Sequence, residues 1–257
     1  MGLSWFKCTW QCCLSGNEPS SLQWPQQQWR GVQQRSAAFN APWRGLVLTL
    51  YTTPLSANGR KVLAITHALG LSPEIRLVDV YRGEGSSAEY LAINPAGKIP
   101  ALVDGDFTLS ESNAILQYLS EAYGNCRLWS RDPKVRARIA QWLFWESAHW
   151  QPVLTVVLSA FVGHRLLPDV LPPPAADPDW ENELLRPLLA RLEGNLSTHR
   201  FIAGEHLTIA DFSVAGMMTY FRAARFPFAE RPNLGDWYVR IEALDAWRST
   251  VTALWAA

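Results

Sequence analysis

Cysteine is nearly absent from the part of this chain that looks foldable. Of four cysteines in 257 residues, Cys8, Cys12 and Cys13 crowd into the first thirteen positions, and Cys126 stands alone downstream. A C-x3-C-C spacing matches no common zinc pattern, and a single downstream cysteine builds no disulfide framework. Such usage fits a reducing cytoplasmic setting. An excess of one charge is also missing, since 23 Lys and Arg balance 23 Asp and Glu. Nucleic acids and anionic membranes select basic patches, so the balance favours neither as a partner. No apolar run reaches the roughly 20 residues of a spanning helix. The N-terminus lacks the apolar segment and cleavage site of a secretory signal. Met1-Gly2 lacks the Ser or Thr at the sixth position that N-myristoylation requires.

Residues 1–45 carry Trp5, Trp10, Trp24, Trp29, Trp43 and a glutamine-rich run, with no periodic apolar face. They are expected to be a disordered extension, or upstream sequence from a misassigned start; a partner-binding tail is the functional alternative. From Leu46 the pattern changes. Leu46 to Tyr51 reads as a buried strand. A helix follows over about Asn58 to Leu69, with Val62, Leu63, Ile65 and Leu69 at helical spacing and Gly70 ending it. Ile75 to Val80 reads as a second strand and Ala88 to Leu91 as a short helix.

The most informative stretch comes next. Asn94-Pro95-Ala96-Gly97-Lys98-Ile99-Pro100-Ala101-Leu102 runs from a loop into an apolar strand. Asp104-Gly105 makes a turn, the Phe107 strand follows, and a helix from Ser112 to about Ala122 starts at Ser110-Glu111-Ser112-Asn113. Proline cannot donate to a sheet ladder, so Pro100 belongs at a strand start, and its peptide bond is a candidate for the cis form. The helix start offers free backbone N–H groups, hydroxyls and a carboxylate together. These features make a small polar clamp for a peptide-like ligand.

This segment resembles the glutathione-binding half of the glutathione S-transferase family, in which an "NPxGKIPAL…L.ESxAI" run holds the tripeptide. The resemblance extends over residues 46–257. It implies a thioredoxin-like α/β domain over 46–124, in agreement with the β-α-β-α-β-β-α order, then an all-α domain over 133–257. Beyond the polar linker Arg127–Pro133 no strand pattern appears. Lys134 to about Leu166 reads as helix, with a kink expected at Pro152. Leu171-Pro172-Pro173-Pro174 breaks the chain. Trp180 to Leu196 reads as the next helix, and another begins at Thr208. The last helices are expected over Asn233 to Leu244 and Ala246 to Leu254. Thr208-Ile209-Ala210-Asp211 has the form of a capping box, and Leu207 and Phe212 are spaced for a hydrophobic staple. The family carries a folding signature there.

A thioredoxin-like fold places its reactive group after the first strand. Here the residues are Thr53-Pro54-Leu55-Ser56, without cysteine nearby. That argues against disulfide exchange, glutaredoxin-like reduction and dehydroascorbate reduction, which need a low-pKa thiolate on the protein. A serine hydroxyl can instead donate to a thiolate carried by the substrate. A charge-assisted bond of roughly 1.5–3 kcal/mol lowers a thiol pKa by about one to two units. The family's serine type has "P-x-S-x-x-x-R-[KR]-V", which Pro54 to Val62 matches. A second branch has "T-P-N-G-x-K-V", which Ser56-Ala57-Asn58-Gly59-Arg60-Lys61-Val62 resembles, so Asn58 is the alternative to Ser56. A plain N-cap is the structural alternative for Ser56.

The resemblance implies glutathione as co-substrate, with no metal and no nucleotide. Ile99 would offer backbone groups to the cysteinyl part. Glu111 would accept from the γ-glutamyl ammonium, Ser112 would donate to its carboxylate, and Lys98 would pair with a ligand carboxylate. Lys98 also fits a solvated loop lysine, and Glu111 a first-turn carboxylate. The family's His-Lys pair for the glycyl carboxylate is missing: Gly85 and Ser86 stand there, with Arg82 as a potential substitute. Trp142, Trp145, His149 and Trp150 would line a pocket for a hydrophobic electrophile, or serve as core packing. The implied protein is a detoxifying homodimeric transferase; the competing class is a non-catalytic interaction module of the same fold.

Overall fold

The computed structural model of the protein describes residues 48–251. The expectation for residues 1–45 lies outside the described residues. The last expected helix, Ala246 to Leu254, instead ends at Arg248, where Ser249 and Thr250 form a turn. The first half runs β1 (Leu48–Thr52), α1 (Ala57–Ala68), β2 (Glu74–Leu77), α2 (Ala88–Leu91), β3 (Ala101–Asp104), β4 (Phe107–Ser110) and α3 (Ser112–Ala122). The second is helical: α4 (Pro133–Trp145), a π turn (Glu146–Trp150), α5 (Gln151–Val157), α6 (Ser159–Leu166), α7 (Arg186–Leu196), α8 (Ile209–Met217), α9 (Pro232–Glu242) and α10 (Asp245–Arg248).

The sheet has the order β2-β1-β3-β4. β1 and β2 are parallel, while β3 runs antiparallel to both β1 and β4. Tyr51 pairs with Ala101, and Ala101 with Ser110. One edge of the sheet therefore collects the ends of β2, β1 and β4 and the start of β3. Leu50 and Leu102 are fully buried at the sheet centre, under Val62 and Ile65 of α1 and Ile115 and Leu119 of α3. That core continues without a break into the helical half through Ile139, Trp142, Phe212 and Trp237. α1 packs against both α3 and α8, so it is the shared wall of the two halves.

Other expected boundaries moved as well. The second strand ends at Leu77, and Asp79 then caps a tight turn by accepting from the N–H groups of Tyr81 and Arg82. The helix expected from Trp180 begins at Arg186. Its predecessors form side-chain-capped turns, with Asp179 accepting from the Glu181 N–H and Asn182 from the Leu184 N–H. Pro187, which lacks an N–H, fits the first turn of the helix. The long helix over Lys134–Leu166 is interrupted by the π turn just before Pro152 and again at Leu158. Proline deprives the preceding turn of one hydrogen bond, and a widened turn accommodates that.

Candidate active site

Ser56 sits where β1 hands over to α1. Its backbone is extended, and its Oγ accepts from the Gly59 N–H at 2.9 Å. The hydroxyl thus caps the helix by its oxygen. A Cβ at Gly59 would lie 1.9 Å from Thr52 Oγ1, so only glycine fits there without displacing Thr52. From the helical half, Tyr220 Oη donates to the Leu55 carbonyl at 2.6 Å and fixes the segment before Ser56.

The Ile99–Pro100 bond is cis. The preceding Lys98 carbonyl accepts from Tyr90 Oη and Asn94 Nδ2, both at 2.6 Å, so the loop is tied just ahead of the cis bond. The Lys98 side chain itself is exposed. Glu111 adopts a positive φ of 66° at the start of α3 and is also exposed. Non-glycine residues rarely hold that conformation, and it breaks the strand sharply into the helix. Ser112 Oγ donates to Asn58 Oδ1 at 3.3 Å, which joins the starts of α1 and α3. Ser56, Asn58, Ile99, Pro100, Glu111 and Ser112 all lie along the one sheet edge. The edge runs from the loop after β2, past Ser56 and Pro100, to Ser112.

A polar network behind α3 was not foreseen. Lys61 and Glu146 are fully buried and paired at 3.3 Å. Asn113 Nδ2 donates to Glu146 Oε2 at 2.8 Å and to Ser147 Oγ at 2.9 Å, and Ser213 Oγ donates to Asn113 Oδ1 at 2.7 Å. Burial pulls the Lys61 ammonium below its ordinary pKa, and Glu146 opposes that pull. The sequence held one signal: Glu146 falls at helical spacing with Ile139, Leu143 and Trp150, a charge on an apolar stripe.

The aromatic residues expected at the second-substrate site are placed otherwise. Trp142 and Trp145 are each only 5% exposed and pack edge to face within the helical core. Trp145 stacks on Trp150, and the Arg191 guanidinium lies over both Trp142 and Trp145 at 5.0 and 5.3 Å. His149 is exposed. Trp142 and Trp145 precede the π turn and only His149 lies within it, so the turn shifts His149 away from its α-helical spacing with the two tryptophans. Next to Ser56 a different apolar cluster forms, with Leu55, Leu166 and Tyr220 at its centre and Tyr81, Phe161 and Val162 around it.

Arg82 is engaged elsewhere. Its Nη2 lies 2.9 and 3.0 Å from the two oxygens of Asp169 in the helical half. Among the described residues no cluster of His, Cys, Asp and Glu forms a metal site, and no helix is long and apolar enough to cross a membrane.

The comparisons with known proteins agree with this fold. The glutathione S-transferase N-terminal domain family matches residues 50–127, and its C-terminal domain family matches 149–245. Glutathione S-transferase 3 of Zea mays is 34% identical over 213 residues, spanning 80% of this chain and 94% of the relative. Human glutathione S-transferase theta-1 is 33% identical over 207 residues, spanning 76% and 82%. Among solved structures, glutathione transferase F7 of Populus trichocarpa superposes with a TM-score of 0.70 at 28% identity, over 79% of this chain and 97% of that one. A glutathione transferase homologue of Drosophila mojavensis, solved with bound glutathione, gives 0.67 at 26%, over 80% and 91%. With a thioredoxin-like half, an all-helical half and both matching at these levels, the chain belongs to the glutathione S-transferase family.

Proposed function

We propose that this chain is a glutathione transferase that binds glutathione along the sheet edge and activates its sulfur at Ser56. The observation that carries this is the Ser56 hydroxyl at the first helix start, whose oxygen accepts from the Gly59 N–H and whose proton we assign as the donor to the sulfur. A thiolate there also meets the positive end of α1. The Ile99 backbone pairs with the cysteinyl unit, Ser112 donates to the γ-glutamyl carboxylate, and Glu111 accepts from its ammonium. Asn58, bonded to Ser112, aligns the clamp with the thiol. Lys98 supplies a solvent-exposed cation to the ligand.

The second substrate is an apolar electrophile, or a peroxide that the thiolate reduces. Leu55, Leu166, Tyr220 and Phe161 form the apolar wall beside Ser56, in place of the core-packed Trp142 and Trp145. We assign the domains to 46–124 and 133–257, the reaction to detoxification in the cytoplasm, and the assembly to a homodimer. Purified protein is expected to bind immobilised glutathione and to form the thioether with an aryl halide at a rate above the uncatalysed one. A protein that neither binds the tripeptide nor forms the conjugate with any of several electrophiles would instead be an interaction module.

A further inference from the structure

We infer that this enzyme recognises its thiol through the γ-glutamyl-cysteinyl part alone. It therefore accepts γ-glutamylcysteinyl thiols whose third residue is changed, esterified or absent. The inference rests on the proposed glutathione site and adds to it the class of thiol accepted. Direction comes from the sheet order β2-β1-β3-β4. The γ-glutamyl groups belong at Ser112 beyond β4, and the sulfur at Ser56 beyond β1. Strands lie about 4.8 Å apart. An extended ligand that has crossed from β4 to β1 has one interval left, so its third residue falls on the loop leaving β2.

That loop is built to hold itself rather than a carboxylate. Gly85 is buried against Gly97, and a Cβ at 85 would lie 2.4 Å from the Gly97 carbonyl oxygen. No side chain fits there, so no cation can project from that position. Arg82 is bound to both oxygens of Asp169, and its Nε lies 3.7 Å from Asp79. A ligand carboxylate would have to displace one already in place. Glu84 accepts from the Asp79 N–H at 2.6 Å, and Ser87 Oγ from the Tyr90 N–H. Over residues 78–98 the acids Asp79, Glu84 and Glu89 outnumber the bases Arg82 and Lys98. From the helical half, Arg165 is stacked over Phe161 at 4.8 Å. Among the described residues of this loop, Lys98 is left as an exposed cation, and a solvent-screened pair of that kind changes affinity by no more than about fivefold.

The test compares kcat/KM for one electrophile with glutathione, its glycyl monoethyl ester, γ-glutamylcysteine and cysteinylglycine. S-methyl derivatives of the same four, used as competitive inhibitors, remove differences in thiol acidity. The ester and the dipeptide are expected within about fivefold of glutathione in both readouts. Cysteinylglycine is expected to fall by about a hundredfold or more, since it loses the charge-assisted bonds at Glu111 and Ser112. A larger loss for the ester or the dipeptide, with glutathione still turned over, would overturn the inference and leave the transferase reading intact. Full activity with cysteinylglycine would overturn it too. Failure of all four thiols, glutathione included, would remove the transferase reading and this inference with it.

Discussion

Lys61 and Glu146 lie 85 positions apart in the chain and meet with no solvent exposure. A buried charge left without its partner is costly, typically about 3–5 kcal/mol, whereas removing both charges together is often nearly neutral. Lys61→Met should therefore lose about 3–5 kcal/mol, and Lys61→Met combined with Glu146→Leu should recover most of it. Denaturant midpoints of both single variants and the double one measure this. Strictly additive losses would show that the pair does not act as a unit. The network was hidden in the sequence because a lysine in a helix reads as a solvated face, and only long-range packing brings its partner. Ser56 and Ser112 were legible for the opposite reason. Each is a polar residue at a helix start, where local chemistry alone demands one.

At the scale of elements, the four strands and the helices at Ala57, Ser112 and Ile209 were readable from periodicity and caps. The π turn was not, because the apolar spacing around Trp145 and Trp150 fits an α-helix equally well. The start of α8 shows what a legible cap is worth. Asp211 accepts from the N–H groups of Ile202 and Thr208 and from Trp237 Nε1, while the Thr208 hydroxyl accepts from the Ala210 N–H. Asp211→Ala strands these buried donors and should cost about 2–4 kcal/mol. Burial pushes the Asp211 carboxyl up to about 6, from an ordinary 3.8. The folded state then holds this proton more tightly than the unfolded chain does. The linked stabilisation is complete below about pH 4 and is lost as pH rises through 6, by up to about 3 kcal/mol. The stability gap between the parent and Asp211→Ala should thus narrow between pH 4 and pH 7. A gap that widens over that window would mean the donors hold the carboxylate ionised.

At the scale of the whole molecule, one core serves both halves, yet the outer surface keeps large apolar side chains in water. Phe144 on α4 is 71% exposed, and Phe107 on the edge strand β4 is 43% exposed, with Tyr118 against it at 5.0 Å. An uncovered edge strand and exposed aromatic rings are costly alone and suit a symmetric contact between copies. Sedimentation should give the mass of two chains rather than one of 28.9 kDa. Phe144→Asp should shift the equilibrium toward the single chain. A parent protein that sediments as one chain at micromolar concentration would remove the dimer from the account.

The central claim is that the Ser56 hydroxyl activates the glutathione sulfur. Ser56→Ala removes that donor but also the helix cap, at a cost of about 1 kcal/mol, so Ser56→Gly, which costs only a few tenths, is its control. The decisive measurement is the pKa of bound glutathione, from thiolate absorbance against pH, in the parent, both Ser56 variants and Asn58→Ala. The account predicts that both Ser56 variants raise it by about one to two units. At neutral pH kcat/KM should fall about ten- to a hundredfold, with glutathione affinity little changed. An unshifted pKa in both Ser56 variants, with the shift and the loss of turnover appearing in Asn58→Ala instead, would contradict it.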